Sequence, residues 1–342
     1  MSITYGEIKS QYAALEKTSS HLNRLLTQVN ETLSEKKKIY FLGSGSSFYV
    51  ACSAAFLAQT HLHCLSMAIP AGDLLLHIPT YRSLLDGAAV VILSRSGETT
   101  EAVRAISELR KEGLSFTLIT ITCVNGSTLS RQSDLAVELP WAFDESVCQT
   151  RTVSCLYYAC ARIVAFLSGN QALSDALEMA VAKGPVFMEK HEAMLQKIAG
   201  LDWSHAIVLG DAEIGGLCEE GALAFKEICQ LPSNYHHLLD VRHGPMVLIN
   251  EKTLIIAALS AANGLELDLI ADVVKKGAKV VAYADHPVDI PGACTVSFGE
   301  SLPHAARGFP VIAICQLIAY YKSQITGADP DQPDGLSAWI KL

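Results

Sequence analysis

The sequence predicts an α/β protein with two parallel-sheet domains that repeat one layout, preceded by a helical arm. Half of the 342 residues are hydrophobic and 18% are charged, which supplies enough apolar side chains for buried sheets. Short aliphatic runs alternate with segments of helical periodicity, as in parallel sheets that helices cover on both faces. This alternation pauses near residue 170 and restarts near residue 201. The chain is therefore predicted to form two α/β domains.

Composition and charge narrow the class of function. The net charge of −9 disfavours nucleic-acid binding, which needs a basic surface. The ten cysteines form no Cys-x-x-Cys pair, a pattern typical of reduced thiols rather than disulfides or a zinc site. The N-terminus carries no signal-peptide pattern, and no apolar run reaches a membrane-spanning length. We expect a cytoplasmic protein with neither nucleic-acid nor membrane partners.

The arm and the boundaries follow from the periodicity. From Glu7 to about Lys36 apolar side chains recur at helical spacing, with a break near Thr18–Ser20 as an alternative, and we expect this helix to pack on a domain or on a second subunit. The predicted organisation is an arm at 1–36, a first domain at 37–170, a helical linker at 171–200, a second domain at 201–326 and a tail at 327–342.

Strands of the first domain are predicted from apolar and β-branched runs. They lie at Lys38–Leu42, Ala88–Leu93, Phe116–Ile121 and Leu135–Leu139. Helical periodicity follows the first strand to about Ala58 and the second to about Lys111, and it returns at Val153–Leu167.

The second domain repeats the pattern. Its predicted strands lie at His205–Leu209, Thr253–Ala258 and Lys279–Tyr283. Its predicted helices lie at about 214–229, 265–276 and 306–325.

Two turns between a strand and a helix are rich in hydroxyl groups. Gly43–Ser47 ends the first strand, and Ser94–Thr100 ends the second. Small residues before a helix N-terminus admit an anion to the backbone amides, although an ordinary tight turn or helix cap would have the same composition. The Gly-Lys-Ser/Thr ending of a nucleotide-binding loop is absent from both turns. A phosphorylated small molecule is therefore favoured over ATP.

A carboxylate and an imidazole form a second candidate group. Glu219–Glu227 reads as an amphipathic helix ending in a carboxylate, and His243 follows sixteen positions later in Arg242–Pro245. A glutamate and a histidine brought together can move protons on and off carbon and oxygen. Both residue types are also common at helix surfaces and before Gly-Pro, so the pair alone is not specific.

Six motifs occur in order along the chain. They are Gly-Ser-Gly-Ser-Ser at 43–47, Ser-Arg-Ser-Gly-Glu-Thr at 94–99, Glu-Ser-Val-x-x-Thr at 145–150, Glu-Gly-Ala-Leu-x-x-Lys-Glu at 220–227, Arg-His-Gly-Pro at 242–245 and Asp-Pro-Asp-Gln-Pro at 329–333. From about residue 37 to the end, this set resembles the double sugar-isomerase (SIS) domain family. The similarity is to fructosamino-acid-6-phosphate deglycases and the isomerase half of glucosamine-6-phosphate synthase. It implies two flavodoxin-like three-layer αβα domains.

The resemblance also implies roles for single residues. It assigns proton transfer between C1 and C2 to Glu227 and assistance in ring opening to His243, which the neighbouring subunit supplies. The substrate and phosphate contacts that it implies are Ser46, Ser47, Ser94, Arg95 through its backbone, Ser96, Thr99, Val147 and Glu220. The expected assembly is a homodimer with shared active sites between the two halves of the chain, and pairing into a tetramer stays open. No metal or organic cofactor is expected.

Two departures from the family change the expected chemistry. Ala338 stands where the synthase has an imine-forming tail lysine, with Lys341 three residues further on, and Ala224 replaces a lysine in the glutamate helix. No glutaminase domain is present in this sequence, which argues against glucosamine synthesis. The leading expectation is a deglycase that cleaves a 6-phosphorylated sugar–amino acid adduct. The alternatives are an aldose–ketose isomerase or amino-sugar-6-phosphate deaminase, and a non-catalytic sugar-phosphate sensor.

Overall fold

The computed structural model describes residues 2–337, which divide into two compact units. The first unit contains residues 9–145 and 149–181, and the second contains residues 2–8, 146–148 and 182–336. Each unit holds one five-stranded sheet flanked by helices. None of the described helices is long and apolar enough to cross a membrane.

The strands are short and the helices vary widely in length. The strands are Lys38–Gly43 (β1), Leu65–Pro70 (β2), Ala89–Ser94 (β3), Thr117–Thr122 (β4), Leu135–Glu138 (β5), His205–Leu209 (β6), Ser233–His236 (β7), Thr253–Ala258 (β8), Lys279–Ala284 (β9) and Ala293–Ser297 (β10). The helices are Ile3–Leu33 (α1), Ser46–Leu62 (α2), Ala71–Leu76 (α3), Ile78–Leu85 (α4), Thr100–Lys111 (α5), Thr128–Gln132 (α6), Arg151–Leu167 (α7), Gln171–Ala199 (α8), Gly215–Ile228 (α9), Gly264–Lys275 (α10) and Gly308–Thr326 (α11).

The two sheets share one topology. The first has the order β2-β1-β3-β4-β5 and the second β10-β9-β8-β6-β7, and every described pairing is parallel. Counted within its own unit, each sheet runs second, first, third, fourth, fifth strand. This is the flavodoxin-like order, in which the chain reverses direction across the sheet between the first and third strands. The predicted repeat of one α/β layout is confirmed.

The central strands are the buried cores of both units. All six residues of β3 and all six of β8 are buried, as expected for strands covered on both faces. Each fully buried Ile or Leu side chain contributes about 2 kcal/mol relative to an exposed one. In the second unit α9 packs closely on α11. Gly221 permits this approach, since a Cβ there would lie 2.7 Å from Cys315 Sγ.

Three edge strands and the continuity of α1 differ from the prediction. The strands β2, β7 and β10 were not predicted, because they mix buried positions with partly or fully exposed ones and have no continuous apolar run. The possible break in α1 at Thr18–Ser20 is wrong. The Thr18 hydroxyl donates to the Ala14 carbonyl over 2.8 Å and the Ser19 hydroxyl to Glu178 over 2.6 Å, so both are satisfied while the helix continues.

Candidate functional site

The two hydroxyl-rich turns lie next to each other in the first unit. The strand β1 pairs in parallel with β3, with Leu42 opposite Ile92, so the turns that follow both strands lie at the same edge of the sheet. This edge holds the carboxyl ends of the strands, at the point where the strand order reverses. Ligands of open parallel sheets bind at this position.

The turn after β3 folds its hydroxyl groups onto its own backbone. Ser94 Oγ lies 3.0 Å from Thr99 Oγ1 and accepts the Gly97 amide over 3.0 Å. Ser96 Oγ accepts the Glu98 amide over 3.1 Å. These contacts gather three of the predicted phosphate ligands, Ser94, Ser96 and Thr99, into one concave loop at the start of α5.

Two helix N-termini lie at this edge. Neither N-cap residue, Gly45 of α2 or Thr99 of α5, makes a side-chain cap to its own helix. Ser46 and Ser47 lie in the first turn of α2, each 3% exposed. The turn before them is tight, because a Cβ at Gly43 would lie 2.6 Å from the Phe48 nitrogen. Two helix N-termini with positive partial charge and adjacent hydroxyls are suited to an oxyanion such as phosphate.

Arg95 lies inside the protein. Its side chain is 4% exposed, its Nη1 donates to the Asp144 carbonyl over 3.3 Å, and its guanidinium lies 5.8 Å from the centre of the Phe143 ring. This side chain therefore does not point to solvent. A contact between Arg95 and phosphate stays a prediction for its backbone.

Asp144 is an anchor that the sequence analysis did not identify. Its fully buried carboxylate accepts the amides of Thr150 over 2.6 Å and of Thr152 over 3.0 Å, and Arg151 Nε lies 3.3 Å away. Burial raises the pKa of Asp144, while those amides and Arg151 oppose the rise. In the sequence Asp144 is a single aspartate just before the Glu-Ser-Val-x-x-Thr motif. A single residue has no periodicity that would mark it as buried.

Glu220 and Glu227 of the second unit share one face of α9. Glu220, Ala224 and Glu227 are spaced by four and three residues, which aligns them along a helix. Glu220 is 1% exposed and Ala224 is 3% exposed, whereas Glu227 lies half-buried one residue before the helix ends. Glu227 is therefore the more accessible of the two carboxylates, and its catalytic role stays a prediction.

His243 lies in an exposed loop of the second unit. Its amide donates to the Asp240 carbonyl over 2.8 Å. Arg242 pairs with Asp272 over 2.6 Å. Just beyond His243, Val247 is 81% exposed.

Val147 is held by its backbone. Its amide donates to the Asp331 carbonyl over 3.1 Å, and its side chain is half-buried. Its place in the sugar site stays a prediction. Ala338 and Lys341, on which the imine argument depends, lie outside the described residues.

Two further histidines of the second unit have polar partners. His205 Nε2 lies 2.8 Å from Asn234 Oδ1. His236 ends β7, and His237 Nδ1 lies 3.0 Å from Asp211 Oδ1.

Comparison with known proteins agrees with the repeated topology and the motifs. Residues 32–164 match the SIS domain family. The chain is 25% identical over 351 residues to glutamine–fructose-6-phosphate aminotransferase (isomerizing) of Pyrobaculum aerophilum, an alignment that covers 98% of this chain and 57% of that protein. The chain spans about half the length of the curated relatives that it matches.

Solved structures share the fold over the whole chain. Glucosamine-6-phosphate deaminase from Thermotoga maritima is 24% identical with a TM-score of 0.83, and the match covers 100% of both chains. Tagatose-6-phosphate ketose/aldose isomerase from Escherichia coli is 22% identical with a TM-score of 0.86, covering 99% of this chain and 96% of that one. Residues 32–164 thus form an SIS domain, and the chain as a whole, with its two units of one strand order, resembles the isomerase domain of glutamine–fructose-6-phosphate aminotransferase and the solved phosphosugar isomerases and deaminases.

Proposed function

We propose that this protein is a phosphosugar isomerase or amino-sugar-phosphate deaminase. In this proposal the loop Ser94–Thr99 binds the phosphate, with Ser46 and Ser47 beside it. Glu227 moves a proton between C1 and C2, and His243 assists ring opening. The relatives named above act on fructose 6-phosphate, glucosamine 6-phosphate and tagatose 6-phosphate, according to their names. The sequence-based preference for a deglycase becomes the second candidate.

The observation that carries this proposal is the loop at the start of α5. Three hydroxyl groups and two helix N-termini, whose N-cap residues make no side-chain cap, meet at the strand-order reversal of the first sheet. A dianionic phosphate satisfies such amides and gains from the positive ends of the helices. A neutral ligand would gain much less from this arrangement.

The chemistry needs one base and no external oxidant. Once the ring is open, the Glu227 carboxylate accepts the proton from C2 of the aldose, and the electron pair forms an enediol. Return of a proton to C1 completes the ketose. If C2 bears an amine, the same shift gives a C2 imine, and water adds there to release ammonia and a ketose 6-phosphate.

The deglycase remains as the second candidate because Ala338 stands where the synthase has its imine-forming lysine, and a second synthase lysine is replaced by Ala224. This residue lies in register with Glu220 and Glu227 on α9 and is 3% exposed, so the position offers a methyl group where the synthase has a lysine amine. A substrate that already carries nitrogen at C1 needs no enzyme amine to form an imine. The 1-amino-ketose would then become an aldose imine, and hydrolysis would give a hexose 6-phosphate and an amino acid.

A substrate panel separates these activities. Glucosamine 6-phosphate is assayed for ammonia, tagatose 6-phosphate for aldose–ketose conversion, and fructosyl-lysine 6-phosphate for glucose 6-phosphate. Glu227→Gln is expected to lower kcat by about 10²–10⁴-fold with phosphosugar binding retained. Glu219→Gln is the matched control, because Glu219 is partly buried in the same helix. Full activity of Glu227→Gln would remove Glu227 from the mechanism, whereas tight binding of phosphosugars without turnover of any of them would support the sensor.

A homodimer with shared sites belongs to the same proposal. The His243 loop is exposed and continues into Val247 and Leu248, which are 81% and 61% exposed. A second copy of the chain would cover these apolar side chains and receive His243. Glu227→Gln and His243→Ala should each be inactive alone, and co-refolded mixtures should regain part of the activity. A mixture that stays inactive would place both residues in a site formed by one chain.

A further inference from the structure

Three segments that are far apart in the chain meet within the second unit. They are the first turns of α1, residues 146–148, and the tail around Asp331. The contacts among them surround Val147, which the family resemblance predicts to contact the substrate.

Asp331 caps the start of α1. Its carboxylate accepts the amides of Ile3 over 2.9 Å and Thr4 over 2.8 Å, together with the hydroxyls of Ser2 over 2.6 Å and Thr4 over 2.8 Å. Burial by itself would raise the pKa of Asp331, but the hydrogen bonds outweigh it, and the pKa lies below its ordinary value. A carboxylate at this end also favours the helix dipole. The tail is thereby tied to α1.

Glu7 continues the same attachment one turn further along α1. It is 3% exposed, and its carboxylate accepts the Ser146 amide over 3.3 Å and the Ser146 hydroxyl. The adjoining Val147 amide donates to the backbone carbonyl of Asp331 over 3.1 Å. Two consecutive residues of this loop are therefore fixed by two acidic residues, one in α1 and one bound to α1.

The burial of the loop indicates which side chain is presented. Ser146 and Cys148 are each 1% exposed, whereas Val147 between them is half-buried. The two neighbours act as anchors, and the valine keeps part of its surface open. This is the arrangement expected of a contact residue whose position is set by its backbone.

We infer that Glu7 and Asp331 are positioning residues that set Val147 for substrate. The inference rests on the proposed function for the identity of the substrate. It gives the N-terminal arm a part in the reaction, since the first turns of α1 hold both the loop and the tail. Neither acid touches substrate in this scheme. Each acts through Val147.

The test uses the full-length chain with Glu7→Gln, Asp331→Ala and the milder Asp331→Asn. Amide hydrogen exchange of the peptide that contains residues 145–148 reports the loop without any need for activity. Both Glu7→Gln and Asp331→Ala are expected to raise its exchange rate at least about tenfold, as local opening becomes easier. With the substrate found by the panel, KM should rise about tenfold while kcat changes less than about threefold, because positioning of bound sugar is lost and the proton-transfer residues are intact.

Tyr5→Phe is the matched control. Tyr5 lies between Thr4 and Glu7 in α1, and its hydroxyl bonds to Glu192 over 2.7 Å. The control loses a hydrogen bond of the same helix turn and should leave both the exchange of 145–148 and KM unchanged. If Asp331→Ala unfolds the tail altogether, Glu7→Gln and Asp331→Asn still decide the matter.

The outcomes separate this inference from the proposed function. Unchanged exchange at 145–148 in Glu7→Gln and Asp331→Asn overturns the inference, as does a KM shift no larger than that of Tyr5→Phe. If no phosphosugar is turned over while exchange at 145–148 rises in these variants, the proposed function fails but the coupling of the loop to α1 stands.

Discussion

Replacing Gly97 by alanine tests whether the loop at the start of α5 depends on its backbone geometry. Gly97 has φ of 64°, in the left-handed region that favours glycine. A Cβ there would overlap Ser127 Oγ and Cβ and approach Thr122 Oγ1 to 3.0 Å. Ser127 has little room to move, because its hydroxyl caps α6 by accepting the Ser130 amide over 3.2 Å.

The expected cost is the sum of two effects. The left-handed backbone costs an alanine about 1 kcal/mol relative to glycine, and overpacking against Ser127 adds about 1–3 kcal/mol. Gly97→Ala should therefore lower the free energy of unfolding by about 2–4 kcal/mol in urea denaturation. A displaced loop should also weaken glucosamine 6-phosphate binding at least about tenfold in calorimetry.

Gly113→Ala is the control that isolates the steric effect. Gly113 also has positive φ, 74°, and an added Cβ there would meet nothing within 4 Å. This variant should lose only about 1 kcal/mol and keep its phosphosugar affinity. Equal losses of stability in the two variants, or unchanged phosphosugar binding by Gly97→Ala, would show that the loop does not depend on the backbone geometry of Gly97.

Three further predictions concern capping, pH and thiols. Asn263→Ala removes half of the capping box of α10 and should cost about 1 kcal/mol in urea denaturation; an unchanged midpoint would contradict this. The pKa of Asp331 is lower in the folded protein than in the unfolded chain. Its contribution to the free energy of unfolding is therefore fully present above the unfolded pKa of about 4 and is lost as the pH falls through the folded pKa. Thermal midpoints between pH 5 and 2.5 should therefore fall less in Asp331→Asn than in the natural protein, and parallel curves would contradict this. Burial raises the pKa of the Cys155 thiol to about 12. At pH 8 the native protein should therefore react with Ellman's reagent first at the partly buried Cys52 and Cys294, and Cys155 should react only after unfolding.

The central strands and the position of the loop Ser94–Thr99 could be predicted because their signals are local. The strand β3 is an unbroken aliphatic run, and Ser94–Thr99 follows it directly in the sequence. The edge strand β2 lacks such a run, since exposed Leu65 and Met67 alternate with buried positions. Contacts between distant segments leave no spacing to read: the Asp331 carboxylate meets the Ile3 amide across 328 positions of sequence.

The two units also show why a shared fold does not imply a shared ligand. The loops after β3 and β8, residues 95–99 and 259–263, have the same length and lead into helices of 12 residues each. In the second unit Glu266, 4% exposed, accepts the amides of Ser260 over 2.6 Å, Ala261 over 3.1 Å and Asn263 over 3.0 Å.

The position of α5 that corresponds to Glu266, three residues after Thr99, is Ala102, which offers no acceptor. To bind at the loop of the second unit, an anion would have to displace the buried, fully hydrogen-bonded carboxylate of Glu266. The lost hydrogen bonds would cost about 1–3 kcal/mol or more. In the first unit no such displacement is needed. Phosphate binding is therefore expected at the loop of the first unit, although both units have the same strand order and the same loop length.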